Sequence, residues 1–453
     1  MADMTEPSSV PALAVTAAVG AVVLLLALLC SVWKKDTKEQ KQDSDENQVP
    51  KAKTEPVKQE KNSKKSKLNV RSKKPQQVQV THPWLASTLK GNSSAVLGID
   101  FSPNGKYLIT TAEDRCVMLW STKDFNQKEH KFIKGIVELD HGTQVKFSPD
   151  TKAFIVSLAN DNALRVYRIG KKDDGSPGNI TSAFDFPKKH QADIISIGIA
   201  SNGKYIMSCG SDTTIIIWTI KGEVLEIIDT HQVNNSFACV SPCGRFVASS
   251  GFTPDVKVWE VCYSKSGDYI DTKRAFELKG HSAGVYSFSF NNDSSRMASV
   301  SKDGTWKYWD TNVRYEMNQD PYLLHTGSIS YSGHCHIALS PDGRTVAVGG
   351  ENSITFFNAI TCKEEENVDN IHLGGLVDLS FDTTNKYLVT AGDRYVHVFH
   401  NVTGYRATIE DLIEKEKKAS SQATRERVRQ QIADARSSLD SILSQSNGHA
   451  NSK

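Results

Sequence analysis

The stretch "SKDGTWKYWD", Ser301 to Asp310, puts Asp303 six residues ahead of Trp309 in a run that otherwise reads as a β-strand. The spacing recurs. An aromatic residue stands at Trp120, Tyr167, Trp218, Trp259, Trp309, Phe357 and Phe399, at intervals of 41 to 51 residues. Six residues before five of them are Asp114, Asp161, Asp212, Asp303 and Asp393. Ten residues before five of them are Thr110, Ser157, Ser208, Ser249 and Ser299. Upstream of each comes a turn: "FSPNGKY", "FSPDTKA", "IASNGKY", "VSPCGRF", "FNNDSSR", "LSPDGRT" and "FDTTNKY". Seven units of this length predict an all-β array in which each unit buries its faces against its neighbours.

The period and signature resemble the WD40 family, whose repeat forms one four-stranded blade of a propeller. The fifth repeat, from "LKGHS" to "YWD", carries the resemblance most fully. It implies a hydrogen-bonded tetrad of His281, Ser299, Asp303 and Trp309, in which buried polar groups satisfy one another. A Ser, a His and an Asp also suggest a hydrolase triad, but the spacing favours the structural role. Repeats six and seven lack the Trp and are shorter in the turn before the third strand. Repeat four carries an insertion, "FTPD". These blades should be less regular. Propellers of this family close by giving an N-terminal strand to the last blade, and "PWLASTL", residues 83–89, is placed for that. The expected propeller spans residues 81–402. Trp306 and Tyr308 sit where aliphatics are usual, either packing between blades or offering an anchor to a partner. After it, Val428, Ile432, Ala435, Leu439 and Ile442 step by four and three, a helical seam. A helical tail over 403–444 is expected, docked on the propeller or on a partner, with 445–453 disordered.

The first eighty residues differ in kind. Residues 12–33, "ALAVTAAVGAVVLLLALLCSVW", are 22 residues without a charge, eleven of them Leu or Val. As a helix they reach about 33 Å, enough for a hydrocarbon core of about 30 Å. A cleaved signal peptide wants a basic start and a shorter apolar core, whereas this start has Asp3 and Glu6 and no Lys or Arg. The reading is an uncleaved transmembrane anchor. Lys34, Lys35, Lys38 and Lys41 follow it, which orients residues 1–11 to the lumen and the propeller to the cytosol. The N-x-S/T sequons at Asn92, Asn179, Asn234, Asn292 and Asn401 then stay unmodified.

Residues 34–80 hold 14 Lys and Arg against seven Asp and Glu. The rest of the chain, with 40 basic and 45 acidic residues, is mildly acidic. The segment is expected to be a disordered tether spanning about 40 Å. Lys58, Lys61, Lys64, Lys65, Lys67, Arg71, Lys73 and Lys74 form a basic cluster. It is either a solvated tether or a patch for anionic lipid or RNA phosphate, though no aromatic interleaves for base stacking. Eight scattered cysteines form no CxxC pair and suit a reducing compartment, so no metal site is expected. No Walker loop, GxGxxG, HExxH or EF-hand loop occurs, and the expectation is a scaffold: no enzyme, no cofactor and no small-molecule substrate. Stretches such as "CGRFVASSGFTPDVKVWEVC" and "AFELKGHSAGVYSF" are similar to a membrane-anchored branch of the WD40 family. That resemblance implies the endoplasmic-reticulum membrane. It also implies a role in the unfolded protein response, through association with the stress-sensing kinase that phosphorylates translation initiation factor 2. An RNA- or ribosome-associated adaptor acting through the basic cluster is the alternative.

Overall fold

In each of the seven turns one residue turns the chain back with a left-handed backbone: Gly105, Thr151, Gly203, Gly244, Ser294, Gly343 and Asn385, with φ between 60° and 73°. Four are glycine, for which that conformation is free of a Cβ clash. Asn385 tolerates it, while Thr151 and Ser294 adopt it at some cost. The repeat is therefore imprinted in backbone geometry even where its residues change. The computed structural model describes residues 80–331 and 333–450, with side chains to residue 444. The anchor reading of residues 12–33 and the basic cluster from Lys58 to Lys74 lie outside the described residues.

The described chain forms seven four-stranded antiparallel sheets, all in simple up-and-down order but one. Blades 1 to 6 take residues 96–136, 142–185, 194–229, 235–279, 285–328 and 335–368. Blade 7 takes three strands from residues 378–400 and its fourth from the start of the described chain, Leu85–Lys90. This closing strand pairs antiparallel with Tyr395–His400, with Thr88 opposite His397 and Lys90 opposite Tyr395. The second and third strands of a blade are nearly all apolar or small, and in Phe246–Gly251 all six residues are buried. Such strands are covered on both faces, which a stack of blades provides.

The propeller core is accordingly divided into seven apolar clusters, one at each blade-to-blade interface, and an eighth lies between the two C-terminal helices. Ile109, Val117 and Phe154 join blades 1 and 2. Trp306, Tyr308, Val348 and Phe357 join blades 5 and 6. Trp306 and Tyr308 are 0% and 3% exposed, so they pack between blades and anchor no partner. Trp84, ahead of the closing strand, is 2% exposed. Its ring meets Phe356 edge-on at 5.1 Å, and the Arg406 guanidinium lies 5.6 Å from its centre.

Both ends of the propeller emerge on one face, here called the lower face, which carries the seven turns. From it rises helix α1, Val402–Lys418, capped by the Asn401 side chain accepting from Gly404 N at 2.9 Å. The wholly buried Asn401 is thus a cap and no accessible glycan acceptor. Arg344 of a blade 6 turn pairs with Asp411, and Arg406 pairs with Glu365 at 2.7 Å, tying α1 to blade 6. Helix α2, Gln422–Ala450, folds back on it and runs six residues past the expected end at 444. The seam predicted from sequence divides its work. Val428 and Ile432 bury against Ile409 of α1, while Leu439 and Ile442 pack on the cluster joining blades 6 and 7. The tail docks on its own propeller. No helix among the described residues is long and apolar enough to cross a membrane.

Ile432→Asp replaces the apolar contact of Ile432 with Ile409 and Val428 by a charged group at the seam between α1 and α2. Limited trypsin digestion is expected to remove the chain after Lys418 much faster than in the parent, while residues 80–418 resist and keep their β-type circular dichroism. Equal protection of the tail would show that the helical seam does not hold it.

Candidate functional site

The four residues of the fifth repeat come together. His281 Nε2 lies 2.8 Å from Ser299 Oγ, which also accepts from Trp309 Nε1 at 2.9 Å. His281 Nδ1 lies 2.9 Å from Asp303 Oδ2, and that oxygen accepts from Ser282 N at 3.0 Å. The network is satisfied by a neutral imidazole that donates from Nδ1 and accepts from the serine hydroxyl. Burial holds His281 below the usual histidine range. Burial alone would raise Asp303, but bonds from Thr305, Ser282 and His281 outweigh it and bring it down to about 2. Ser299 is wholly buried with its oxygen engaged on both sides, so no substrate carbonyl can reach it. These groups lock the loop that leads into blade 5 to its second and third strands.

Elsewhere the lock is partial. Trp218 donates to Ser208 at 2.8 Å and His190 meets Ser208 at 2.6 Å, but His190 Nδ1 has no hydrogen-bond partner. Trp120 donates to Thr110 at 3.2 Å, with Asn92 taking the place of His281. In blade 4, Gln232 replaces the histidine and donates to the Ser249 carbonyl at 3.0 Å, leaving the Ser249 hydroxyl unpaired. Blade 7 holds a network that sequence reasoning missed: His372 reaches Thr390 at 3.0 Å and Asp393 at 3.3 Å. Thr390 stands nine residues before Phe399 because the intervening turn is one residue shorter, so a fixed ten-residue spacing passes over it.

The central channel offers a second polar cluster. A cavity of about 260 Å³, opening among the lower-face turns, is lined by Lys146 and Asp378. Lys146 Nζ is 3.0 Å from Asp100 Oδ1, and the other Asp100 oxygen accepts from Phe147 N at 2.8 Å. Asp378 accepts from Ile99 N at 3.1 Å and so bridges blade 7 to blade 1. Burial pushes Asp378 up to about 6, against the pull of Lys146. Asp100 is also raised by burial. One ammonium serves two carboxylates, and the Asp378 charge takes stability away as pH rises from about 4 towards 6. Backbone amides occupy the carboxylate oxygens, which makes the cluster a brace between blades. Among the described residues no group of three or more His, Cys, Asp or Glu is placed to hold a metal, and the seven described cysteines are free.

Among the described residues, no helix covers the upper face, which lies opposite α1 and α2. It consists of loops between blades and of the turns between second and third strands. Its exposed apolar residues are Leu139, Val233, Phe252 and Leu373, between 67% and 94% exposed.

The WD domain, G-beta repeat family matches residues 84–121, 184–219 and 272–310. Each match starts in, or one residue before, the outer strand of one blade and ends in the third strand of the next. They are the repeats whose tryptophan donates to a hydroxyl ten residues upstream. Over 384 residues the chain is 53% identical to Transducin beta-like protein 2 of Mus musculus, covering 84% of this chain and 87% of that one. The Homo sapiens protein of that name is 52% identical over 385 residues, 84% of this chain and 86% of its own. The chain belongs to the transducin beta-like protein 2 family. Apoptotic protease-activating factor 1 of Homo sapiens is more distant, 23% identical over 70% of this chain and 26% of its own length. Members of the transducin beta-like protein 2 family therefore match this chain over 84% of its length, and a protein-interaction scaffold is what this WD40 architecture implies.

Asp303→Asn removes the charge that His281, Ser282 and Thr305 bind. At neutral pH it is expected to lower stability by roughly 1–3 kcal/mol. Because the folded-state value lies below that of the unfolded chain, Asp303 stabilises fully above pH 4 and loses that contribution as pH falls towards 2. The gap between parent and variant in urea melts should therefore close between pH 4 and pH 2. A gap absent at pH 7, or constant across that range, contradicts the assignment.

Proposed function

We propose that the chain is a membrane-anchored scaffold, held in the endoplasmic-reticulum membrane through residues 12–33 with its propeller in the cytosol. Its partner class is protein, and the partner proposed is the stress-sensing kinase that phosphorylates translation initiation factor 2. The observation that carries this reading is the sequence order: an uncharged 22-residue apolar run, lysines on its downstream side only, a Lys-rich tether, then a rigid propeller. Family membership supports the scaffold, and the buried state of Ser299 and His281 argues against hydrolysis. A tether of about 40 Å confines the propeller near a membrane-borne partner and raises effective concentration towards the millimolar range, so a weak contact suffices. A second reading, RNA or ribosome contact, rests on the cluster from Lys58 to Lys74. Deleting residues 58–74 separates the two, because crosslinked RNA recovery would collapse while kinase association survived.

A chain starting at Gln79 is expected to bind the kinase's cytosolic region weakly in solution and to lose stress-dependent association in cells. Fusing an unrelated endoplasmic-reticulum anchor and a neutral linker of equal length to it should restore association. Failure of that rescue would mean that residues 12–33 or the Lys-rich segment make specific contacts, and the tether reading would fall.

A further inference from the structure

The two C-terminal helices form a hairpin whose far end stands clear of the blades. Asp411, paired with Arg344, is the last residue of α1 bonded to a blade. Among the described residues, no side chain from Leu412 to Arg436 is hydrogen-bonded or ion-paired to the propeller. The apolar contact of α2 with the blades begins only at Leu439.

This end is basic. Residues 414–429 hold six cations, Lys415, Lys417, Lys418, Arg425, Arg427 and Arg429, against three carboxylates, Glu414, Glu416 and Glu426. Two of the cations account for all three carboxylates. Lys418 lies 3.4 Å from Glu414, and Arg429 lies 2.6 Å from Glu416 and 3.9 Å from Glu426. Lys415, Lys417, Arg425 and Arg427 are exposed, and none of them has a described carboxylate within ion-pair distance. Arg425 Nε donates to the Ala419 carbonyl at 3.0 Å, a neutral acceptor that leaves its charge uncompensated. Along the helices, the nearest exposed acids outside this end are Glu410 and Asp434. They lie towards the propeller, about 7 to 11 Å along the axes from Lys415 and Arg427. The C-terminal dipole of α1 and the N-terminal dipole of α2 meet at the turn and offset each other, so the side chains set the sign.

We propose that the free end of this hairpin, through Lys415, Lys417, Arg425 and Arg427, is a contact site for an anionic membrane surface. A protein partner would need an apolar centre to bury, and none of the large apolar side chains exposed among the described residues lies on either helix. An RNA partner would gain from stacking, and no Phe, Tyr, Trp or His occurs between Leu412 and Arg436. Cations on long stems, with nothing apolar between them, suit a diffuse layer of acidic headgroups, where each contributes through its charge alone. Location agrees with charge. The hairpin rises from the lower face, where the chain also enters, so a chain held in a bilayer by residues 12–33 is tethered by the face that carries these cations. Contact would turn a loose tether into a fixed orientation, with the lower face to the bilayer and the upper face to the cytosol. This proposal rests on the membrane placement in the scaffold reading and deepens it.

The test uses the full chain reconstituted into vesicles of phosphatidylcholine alone, or of two parts phosphatidylcholine to one of phosphatidylserine. Hydrogen exchange of peptides covering residues 412–430 is read by mass spectrometry. Exchange is expected to slow at least about fivefold on the anionic vesicles and to recover in high salt. Replacing Lys415, Lys417 and Arg427 together by Gln should abolish the slowing, whereas Lys415→Arg with Lys417→Arg should retain it. All three positions are exposed and outside the seam, so the amides of residues 246–251 should exchange alike in every variant. Equal exchange of the parent on the two vesicles, or equal slowing in the Gln variant, would overturn the proposal. Protection by an added oligouridine on neutral vesicles, with none from phosphatidylserine, would overturn it in favour of RNA. A chain that fails to co-float with either vesicle sinks the membrane placement and this proposal with it. Co-flotation with unchanged exchange at the hairpin sinks this proposal alone.

Discussion

A strand near the start of the chain must pair with one that follows the last blade turn, and the ring has no other closure. Thr88 and His397 meet at 2.9 Å across a sequence separation of 309 residues. Bringing such distant segments together costs on the order of 5 kcal/mol in chain entropy before any contact compensates for it. The compensation is concentrated around the join. Trp84 and Leu89 are buried, His400 N donates to Trp84 O at 2.7 Å, and the Arg406 guanidinium covers the indole. The closing strand also gives blade 7 its fourth strand and, through Leu89, packs into the cluster shared with blade 1. The helical tail belongs to the same device, since α1 begins directly after the strand that receives the closing strand.

The ring gives the molecule two unlike faces. The lower face carries the tight turns, the chain entry, the helical pair and the mouth of the channel. The upper face has none of these and exposes Val233 and Phe252. The buried polar groups serve rigidity throughout: the tetrad ties strands within blade 5, and Asp100, Lys146 and Asp378 tie blades 7, 1 and 2 across the channel. Rigidity suits presentation of a surface, and the chemistry of a partner is then set by what that surface exposes.

Much of this was legible in the residues. The aromatic period named seven blades, "PWLASTL" marked the closing strand, and the 4-3 seam from Val428 to Ile442 marked a docked helix. Each is a local pattern with a local physical cause. What escaped depends on pairing between distant segments. Trp84 reads as one apolar residue among several until Phe356 and Arg406 are placed around it. The His372, Thr390 and Asp393 network is hidden by one missing residue in a turn. The run from Glu414 to Arg429 does not show which cations stay unpaired, because Arg429 reaches Glu416 only once α2 has folded back on α1. The helix end at Ala450 was also misplaced, since polar residues such as Gln445 and Asn447 mask its continuation in sequence.

The central claim is that the ring is one cooperative unit whose closure is as stable as its blades. Native-state hydrogen exchange of the full-length protein tests it most directly, by comparing amides of residues 85–90 and 395–400 with those of the wholly buried strand Phe246–Gly251. The account predicts that the hydrogen-bonded amides in all three segments exchange only by global unfolding, with protection that falls together as denaturant is added. Exchange at residues 85–90 orders of magnitude faster than at 246–251, insensitive to denaturant, would show a ring that opens locally at its join and would contradict the account.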